Sequence, residues 1–434
     1  MADTLGVAGG TASTDAVEAV PVAVVVGLDN ITGLQTARIL ADRGVPVVGV
    51  VTNLRHWAAH TTVCEEIVRA DGAGDGLITA LQQLGRRLGR PAVLFPCTDP
   101  SVRTLSEHRD RLAQWFALPL ASHDIVSMLM DKASFSAYAE TADLPVPRTR
   151  TLSDRSDAEA AAAQLTFPAV VKPSAKSATW DQHTAAKGIR VADGSALLDT
   201  YDRVSSWSPV LLVQEWVEGG ENGLFSCNAY FDRQGVPLVT FVARKVRQWP
   251  PDIGTSASGE ECRQDEVLAA ALQLFGGAGY HGLAYLEMKR DARNGRLVII
   301  EPNVGRPTGR SAIAEGGGVE LVYTAYCDAV GLPLPVAREQ RYVGAKWLDL
   351  RRDAQAAFVA RRRGELTVAE WLASLRGPKA HAIWSSRDPK PFALDIAQAT
   401  ASGVRRLPAP VYRWVASRRS PSPHRGGMLS EHVP

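Results

Sequence analysis

The first part of the chain alternates short apolar runs with amphipathic segments. β-branched runs that end at glycine or a polar cluster are typical of buried strands, and apolar residues at helical spacing indicate helices. A glycine such as Gly44 often follows the end of a helix. The pattern predicts, in order, a strand over Val22–Val26, a helix from Thr32 to Arg43, a strand over Val45–Val51, a helix over residues 77–90 and a strand over Ala92–Phe95. Such βαβ spacing predicts a parallel α/β domain over residues 21–125.

The turn after the first strand, Gly27–Gly33, invites comparison with dinucleotide-binding loops. It lacks the GxGxxG spacing, and the second strand ends in Thr52 and Asn53 rather than in an acid that could hold a ribose. The chain contains no GxxxxGK[ST] loop. We therefore do not predict a dinucleotide site or a P-loop.

The pattern changes after residue 125. A helix opens at Asp131 and Lys132 and ends before Leu144–Pro147, because proline cannot continue a helix. Apolar strands follow to about Glu301, then a helix near residues 319–330. We predict a second domain over residues 126–335 and an α/β extension over residues 336–400, with a disordered tail at 1–20 and an irregular tail at 401–434.

Two neighbouring apolar strands carry acidic residues, and a turn at Arg293–Gly295 separates them. Alternation along the second strand places Glu301 and Asn303 on one face, and pairing of the strands would bring Glu287 beside Glu301. Two carboxylates and an amide oxygen form a ligand set suited to Mg²⁺. The alternative is that both glutamates are solvent-exposed residues at strand ends.

Two lysines are candidates for binding an anion. Lys172 ends a buried strand, so its ammonium group either extends to solvent or points at an anion. Lys132 opens a helix, where a cation opposes the helix dipole unless a phosphate lies nearby. A structural role is the alternative for each lysine taken alone.

These segments occur in an order that resembles ATP-grasp enzymes, over about residues 22–335. The matching segments are Lys132 with Leu144–Pro147, Phe167–Pro173, Gln214–Glu221, Glu287, and Glu301–Asn303. The resemblance implies a pre-ATP-grasp α/β domain followed by a two-lobed α+β ATP-grasp fold, with a small lobe at about 150–215 and a large lobe at about 216–335.

The resemblance also implies site roles, with ATP as the nucleotide. Lys132 and Lys172 would bind the ATP phosphates, and Lys187, after a loop over Ser174–Ala186, would close over them. The adenine would lie at a hinge, and an acid after it would bind the ribose; these residues are Gln214, Glu215, Trp216 and Val217, and then Glu221. Glu287, Glu301 and Asn303 would hold two Mg²⁺ ions, with Mn²⁺ as an alternative.

A narrower resemblance involves D-aspartate ligase-like carboxylate–amine ligases. Asn303–Ser311 is similar to the region after the metal strand in that group, which more often carries Asn-Pro-Arg, whereas Arg306 stands one place later here. Lys245 to Arg247 fit the group's substrate-side loop. The resemblance implies that a carboxylate, by default of an amino acid, is joined to an amine through an acyl phosphate, with Lys245, Arg247, Arg306 and Arg310 as substrate-side residues.

Three points stay open from the sequence. Either Arg306 or Arg310 could hold the donor carboxylate. The first rival function is a carboxylase or carbamoyl-type enzyme that activates bicarbonate. The second rival is a protein that binds ATP without turning it over.

Composition adds limits rather than a function. The net charge of +2 over 434 residues gives no indication of a nucleic-acid or anionic-membrane partner, so we expect small-molecule partners. Five scattered cysteines without a CxxC pair favour a reducing compartment. Neither a signal peptide nor an apolar run of membrane-spanning length is present, so the prediction is cytoplasmic. A homodimer is the base case for assembly.

Overall fold

The structure is a computed structural model that describes residues 20–174, 178–184, 186, 188–251 and 254–403. Residues up to Phe392 belong to one compact unit, and Ala393 begins a second. The expected disordered tail at 1–20 and irregular tail at 401–434 lie almost wholly outside the described residues. No helix in the described ranges is both long enough and apolar enough to cross a membrane.

The first sheet has five parallel strands in the order β3-β2-β1-β4-β5. Strands β1, β2 and β4 are buried throughout because helices cover both faces of the sheet, and this accounts for their continuous apolar runs. The elements are β1 Val22–Val26, α1 Ile31–Ala41, β2 Val47–Val51, β3 Glu66–Arg69, α2 Gly74–Leu88, β4 Ala92–Pro96, α3 Asp99–Glu107 and β5 Phe116–Ala117.

Two boundaries differ from the sequence predictions. Helix α1 begins at Ile31 because the Asn30 side chain accepts a hydrogen bond from the backbone N–H of Gly33 and caps the helix. Strand β2 begins at Val47, after Pro46, a residue that cannot donate to a ladder. The predicted parallel α/β architecture is confirmed.

The second sheet has four antiparallel strands in the order β6-β9-β7-β8. Two helices, α4 and α5, precede it along the chain, and Asp131 caps α5 by accepting a hydrogen bond from Ser134 N. The elements are α4 His123–Met130, α5 Lys132–Thr141, β6 Thr149–Leu152, α6 Arg155–Gln164, β7 Ala169–Pro173, α7 Ala178–His183, β8 Ile189–Val191, α8 Gly194–Val204 and β9 Leu211–Glu215.

The third sheet has seven strands in the order β14-β13-β10-β11-β12-β15-β16, and every pair is antiparallel except β15 with β16. Its central strands carry much of the apolar core. The elements are β10 Leu224–Phe231, β11 Pro237–Trp249, β12 Thr255–Glu261, α9 Asp265–Gly277, β13 Gly282–Arg290, β14 Leu297–Val304, α10 Ile313–Gly316, α11 Leu321–Val330, β15 Lys346–Leu348, α12 Leu350–Arg362, α13 Val368–Ser374, β16 Lys379–His381 and α14 Lys390–Gly403.

One buried carboxylate joins residues from distant parts of the chain. Asp388 accepts hydrogen bonds from the Arg38 guanidinium, at 2.9 Å, and from the hydroxyl of Thr61, at 2.5 Å. The backbone N–H of Thr62 donates to the same carboxylate at 3.1 Å. Because Asp388 is only 1% exposed, this cluster fixes the segment after β16 against the first sheet's helix α1.

Candidate active site

The two acidic strands pair as the sequence predicts. In the β13–β14 ladder Glu287 stands directly opposite Glu301, and Tyr285 stands opposite Asn303. Opposed side chains on an antiparallel pair have Cβ atoms about 5 Å apart, so both carboxylates can reach one cation. Within the described residues no three His, Cys, Asp or Glu side chains converge on one point. A metal ion here would therefore need the Asn303 amide and oxygens of a bound ligand, which suits Mg²⁺.

A guanidinium fixes the Asn303 amide. Arg306 Nη2 donates to Asn303 Oδ1 at 2.9 Å, and Arg306 Nη1 donates to the carbonyl of Pro307 at 3.1 Å. Arg306 Nε donates to Asp99 Oδ1, in the first turn of α3, at 2.6 Å. All three nitrogens of Arg306 thus have partners within the protein.

Arg310 is placed differently. Its side chain is 6% exposed, and Nη2 donates to the Tyr285 hydroxyl and lies 3.4 Å from Glu287 Oε2. Its Nη1 is buried without a hydrogen-bond partner. Strand β12 approaches closely at Gly259, where a Cβ would lie 3.7 Å from this nitrogen. Arg310 therefore has one donor directed to the acidic pair and one donor uncommitted.

The second sheet contributes a buried lysine. Lys172 Nζ donates to Gln214 Oε1 at 2.8 Å, and Gln214 Nε2 donates to the Thr149 hydroxyl at 2.9 Å. Burial lowers the pKa of Lys172 to about 8, the charge of Lys132 acts in the same direction, and Glu301 opposes both. The two predicted lysines are therefore close to each other and to the acidic pair.

The predicted hinge lies on the turn between β13 and β14. Lys289 Nζ donates to the Val217 carbonyl at 2.9 Å, and Arg293 Nη2 donates to the Trp216 carbonyl at 3.1 Å. The Arg190 guanidinium lies 5.0 Å from the centroid of the Trp216 ring, and Lys289 Nζ lies 5.7 Å from it. These contacts tie the hinge to the strands that carry Glu287 and Glu301.

The Glu215 side chain and backbone are held by the second sheet. Glu215 Oε1 accepts from the backbone N–H of Thr166 at 2.9 Å, and Glu215 N donates to the carbonyl of Arg148 at 3.0 Å. The Glu215 carboxylate and its backbone N–H therefore both have partners within the protein.

Lys245 and Arg247 have separate surroundings. Lys245, opposite Gly259, is 7% exposed, and burial lowers its pKa while the Glu287 charge opposes that change. Arg247 forms a buried ion pair with Asp353 of α12 at 2.6 Å. The structure thus brings Lys245 near the acidic pair and directs Arg247 to α12.

Two remaining predicted residues complete the set. Glu221 Oε2 accepts from the backbone N–H of Gln248 at 3.0 Å, which places this carboxylate just after the hinge and beside β11. Lys187, and part of the predicted loop over Ser174–Ala186, lie outside the described residues. The role of Lys187 stays a prediction.

Several residues of the site were not identified from the sequence. Tyr285 had a usable signal, because it stands two residues before Glu287 on the same strand face. Lys289 lies near the end of the same strand and Arg293 follows that strand, but neither has a sequence pattern that indicates a hinge. Asp99 is 207 residues from Arg306, and nothing local to it indicates the pairing.

Comparison with known proteins supports a fold assignment. No family model matches the chain. D-aspartate ligase of Enterococcus faecium (strain Aus0004) is 21% identical over 229 residues, which is 51% of this chain and 54% of that protein. D-alanine–D-alanine ligase of Ectopseudomonas mendocina (strain ymp) is 25% identical over 190 residues, 41% of this chain and 56% of that protein. The chain thus spans about half the length of the curated relatives it matches.

Solved structures are similar to this chain over more of its length than the curated relatives are. N5-carboxyaminoimidazole synthetase from Staphylococcus aureus superposes with a TM-score of 0.60 at 15% identity, covering 80% of this chain and 85% of that one. Biotin carboxylase from Campylobacter jejuni gives a TM-score of 0.60 at 13% identity, covering 75% and 74%. These likenesses show that the chain shares the fold of these two enzymes.

Proposed function

We propose that the protein is an ATP-dependent ligase that joins the carboxylate of a small molecule, by default an amino acid, to an amine, and releases ADP and phosphate. One observation carries this proposal. The Glu287–Glu301 pair has Lys172 near Glu301 and has Arg310 and Lys245 near Glu287. Cations on both flanks of a metal-binding pair suit a polyphosphate on one flank and an anionic substrate on the other.

The nucleotide side follows from the hinge. Adenine at Glu215–Val217 would leave the triphosphate extending towards Lys172, Lys132 and the acidic pair, and Glu221, just after the hinge, is the proposed ribose-binding acid. Mg²⁺ at Glu287, Glu301 and Asn303 would neutralise charge on the phosphates during transfer. We propose two ions; Mn²⁺ is the alternative metal. ATP and Mg²⁺ are thus the expected substrate and cofactor, and this expectation agrees with MgADP in the structure of the Hydrogenobacter thermophilus biotin carboxylase domain.

The chemistry needs no nucleophilic side chain. A carboxylate oxygen of the substrate attacks the γ-phosphorus of ATP, and the bond to the β,γ-bridging oxygen breaks, which yields an acyl phosphate and ADP. The amine nitrogen then attacks the acyl carbon, the phosphate leaves with its electron pair, and the nitrogen loses a proton to water or phosphate. Arg310 Nη1 supports a role in holding the carboxylate, because it is the buried donor that lacks a partner beside the acidic pair.

The test combines a substrate screen with one variant. ADP and phosphate release are measured with amino acids in pairwise combination, and products are weighed by mass spectrometry. We expect release that requires both an acid and an amine, and we expect Glu301→Gln to abolish it with an unchanged unfolding temperature. Glu159→Gln, which alters an exposed glutamate paired with Arg155, is the matched control and keeps full activity.

The outcomes separate the rival functions. Full turnover in Glu301→Gln would contradict the metal assignment. ADP release that depends on bicarbonate rather than on an amine would identify a carboxylase or carbamoyl-type enzyme. Tight ATP binding with no release across the screen would identify a nucleotide-binding protein without turnover.

The domain division belongs to the same proposal. We propose a first domain at 21–125, an ATP-grasp domain at 126–335 and an extension at 336–400. The first sheet ends at Ala117 and the second begins at Thr149, which supports the first boundary.

All five cysteines are free thiols, which suits the proposed cytoplasmic location. A homodimer is the proposed assembly, and ultracentrifugation tests it.

A further inference from the structure

The residue that the narrower family pattern places next to substrate has a different set of contacts in this chain. Arg306 follows Asn303 by three residues, and all three of its guanidinium nitrogens are bonded within the protein. Three of the five N–H groups of the guanidinium are committed to protein acceptors, so a substrate carboxylate would have to share Arg306 with Asp99 and Asn303. Arg310, with one uncommitted donor, has no such obstacle.

We propose that Arg306 is a positioning residue that orients the metal-ligating oxygen of Asn303, and that Asp99 of the first sheet's domain holds Arg306 in place for this purpose. This inference rests on the proposed function. An asparagine amide can present either its oxygen or its NH₂ group to a cation, and only the oxygen is a ligand. Because Arg306 Nη2 can only donate, its 2.9 Å bond selects the orientation in which Oδ1, rather than the NH₂ group, faces Arg306.

The Asn303 oxygen can serve both partners. A carbonyl oxygen has two lone pairs, so Oδ1 can accept from Arg306 and still ligate a cation. Partners that hold first-shell ligands in this way fix their geometry in many metal sites. Metal binding at Asn303 therefore does not require the bond between Arg306 and Asn303 to break.

Asp99 has two effects on this arrangement. Its carboxylate fixes Arg306 Nε at 2.6 Å, and it offsets a positive charge that would otherwise lie beside the metal ion. The Arg306 side chain is 14% exposed and the Asp99 side chain is 55% exposed, so water screens their interaction in part. Asp99 is in the first turn of α3, the helix that follows β4 along the chain, and Thr98 caps that helix. The parallel sheet would thus supply a determinant of metal affinity to a site formed by β13 and β14.

The experiment measures metal binding directly. Mn²⁺ affinity in the presence of saturating ADP is followed by electron paramagnetic resonance of the free ion, and ADP affinity without metal by calorimetry. Asp99→Asn keeps the shape of the side chain and removes its charge. We expect Mn²⁺ affinity to fall by roughly tenfold or more, in the range seen when second-sphere partners are removed. ADP affinity without metal stays unchanged.

The matched control is Asp75→Asn. Asp75 also lies in the first turn of a helix and also pairs with an arginine, Arg111 at 2.8 Å, but this pair is exposed and belongs to α2. We expect parental Mn²⁺ affinity in this variant. Arg306→Lys provides a second test, because a lysine keeps the charge but cannot hold both partners in a fixed fork; we expect its Mn²⁺ affinity to fall as well.

Each result decides one question. Parental Mn²⁺ affinity in both Asp99→Asn and Arg306→Lys would overturn the positioning role, and a higher KM for the acid substrate alone would return Arg306 to substrate binding. If Asp99→Asn fails to fold, Arg306→Lys decides the question alone. Absence of Mn²⁺ binding in the unaltered protein with ADP would overturn the proposed function itself, and the positioning role with it.

Discussion

Lys172 allows a quantitative test of the nucleotide site. Burial lowers its pKa from the ordinary 10.5 to about 8, so about half of the protein carries a neutral Lys172 at pH 8. A phosphate charge about 4 Å from the ammonium group, at an effective dielectric constant of about 20, stabilises the charged form by about 4 kcal/mol. This is enough to restore the ordinary pKa. Binding of ADP should therefore be accompanied by uptake of about half a proton at pH 8.

Calorimetry in two buffers of different ionisation enthalpy measures this uptake. We expect about half a proton per ADP at pH 8 and almost none at pH 6.5, where Lys172 is already charged. In Lys172→Met the uptake at pH 8 disappears and ADP binds more weakly. Equal uptake in the parent and in Lys172→Met would refute the assignment of Lys172 to the phosphates.

The same lysine affects stability without nucleotide. Its pKa is lower in the folded state than in the unfolded chain, so the charged form costs roughly 3 kcal/mol below pH 8. The folded state loses this proton first as the pH rises, and the cost is relieved between about pH 8 and 10.5. We expect nucleotide-free Lys172→Met to be more stable than the parent at pH 7, with a smaller difference at pH 10, in urea unfolding.

Three further predictions concern other contacts. Lys289→Met removes a charge-assisted bond to a hinge carbonyl, worth about 1.5–3 kcal/mol, so calorimetry should show ADP affinity at least about tenfold weaker; unchanged affinity would contradict the hinge contact. Gly259→Val places bulk against Arg310 and should lower kcat while leaving ADP affinity unchanged; an unaltered kcat would count against Arg310. Asp353→Ala leaves the buried Arg247 without its partner and should lower the free energy of unfolding by about 3–5 kcal/mol in urea; a loss below about 1 kcal/mol would indicate that water replaces the pair.

The parts of the fold with a strong periodic pattern could be predicted from the sequence. Strand β1 is five buried β-branched or small residues, and no helix of that composition would be so short. Strand β3 was missed, because Glu66–Arg69 is a half-buried edge segment with charges at both ends. Strand β12 has the sequence TSASGEE, which has no apolar alternation; it is a strand because β11 and β15 pair with it on both sides.

The candidate site, like the fold, could be predicted from the sequence only in part. The pairing of Glu287 with Glu301 could be predicted, because alternation and a turn are local properties of the chain. The choice between Arg306 and Arg310 could not, since it depends on Asp99 and Gly259, which only the tertiary structure brings to them. The role of a residue can be predicted from the sequence when it depends on local strand register. It cannot be predicted when it depends on which charges are already neutralised by distant parts of the chain.

The cluster around Asp388 has a consequence for biosynthesis. Arg38, Thr61 and Thr62 are made early, and the carboxylate that pairs with them is made more than 300 residues later. Until then a guanidinium that will be buried has no partner, which favours an open or solvated arrangement of helix α1 on the ribosome. The first domain to be synthesised would thus be among the last to be completed, and contacts at this sequence separation favour slow folding. Ribosome-bound chains that end before residue 388 should remain sensitive to protease near α1.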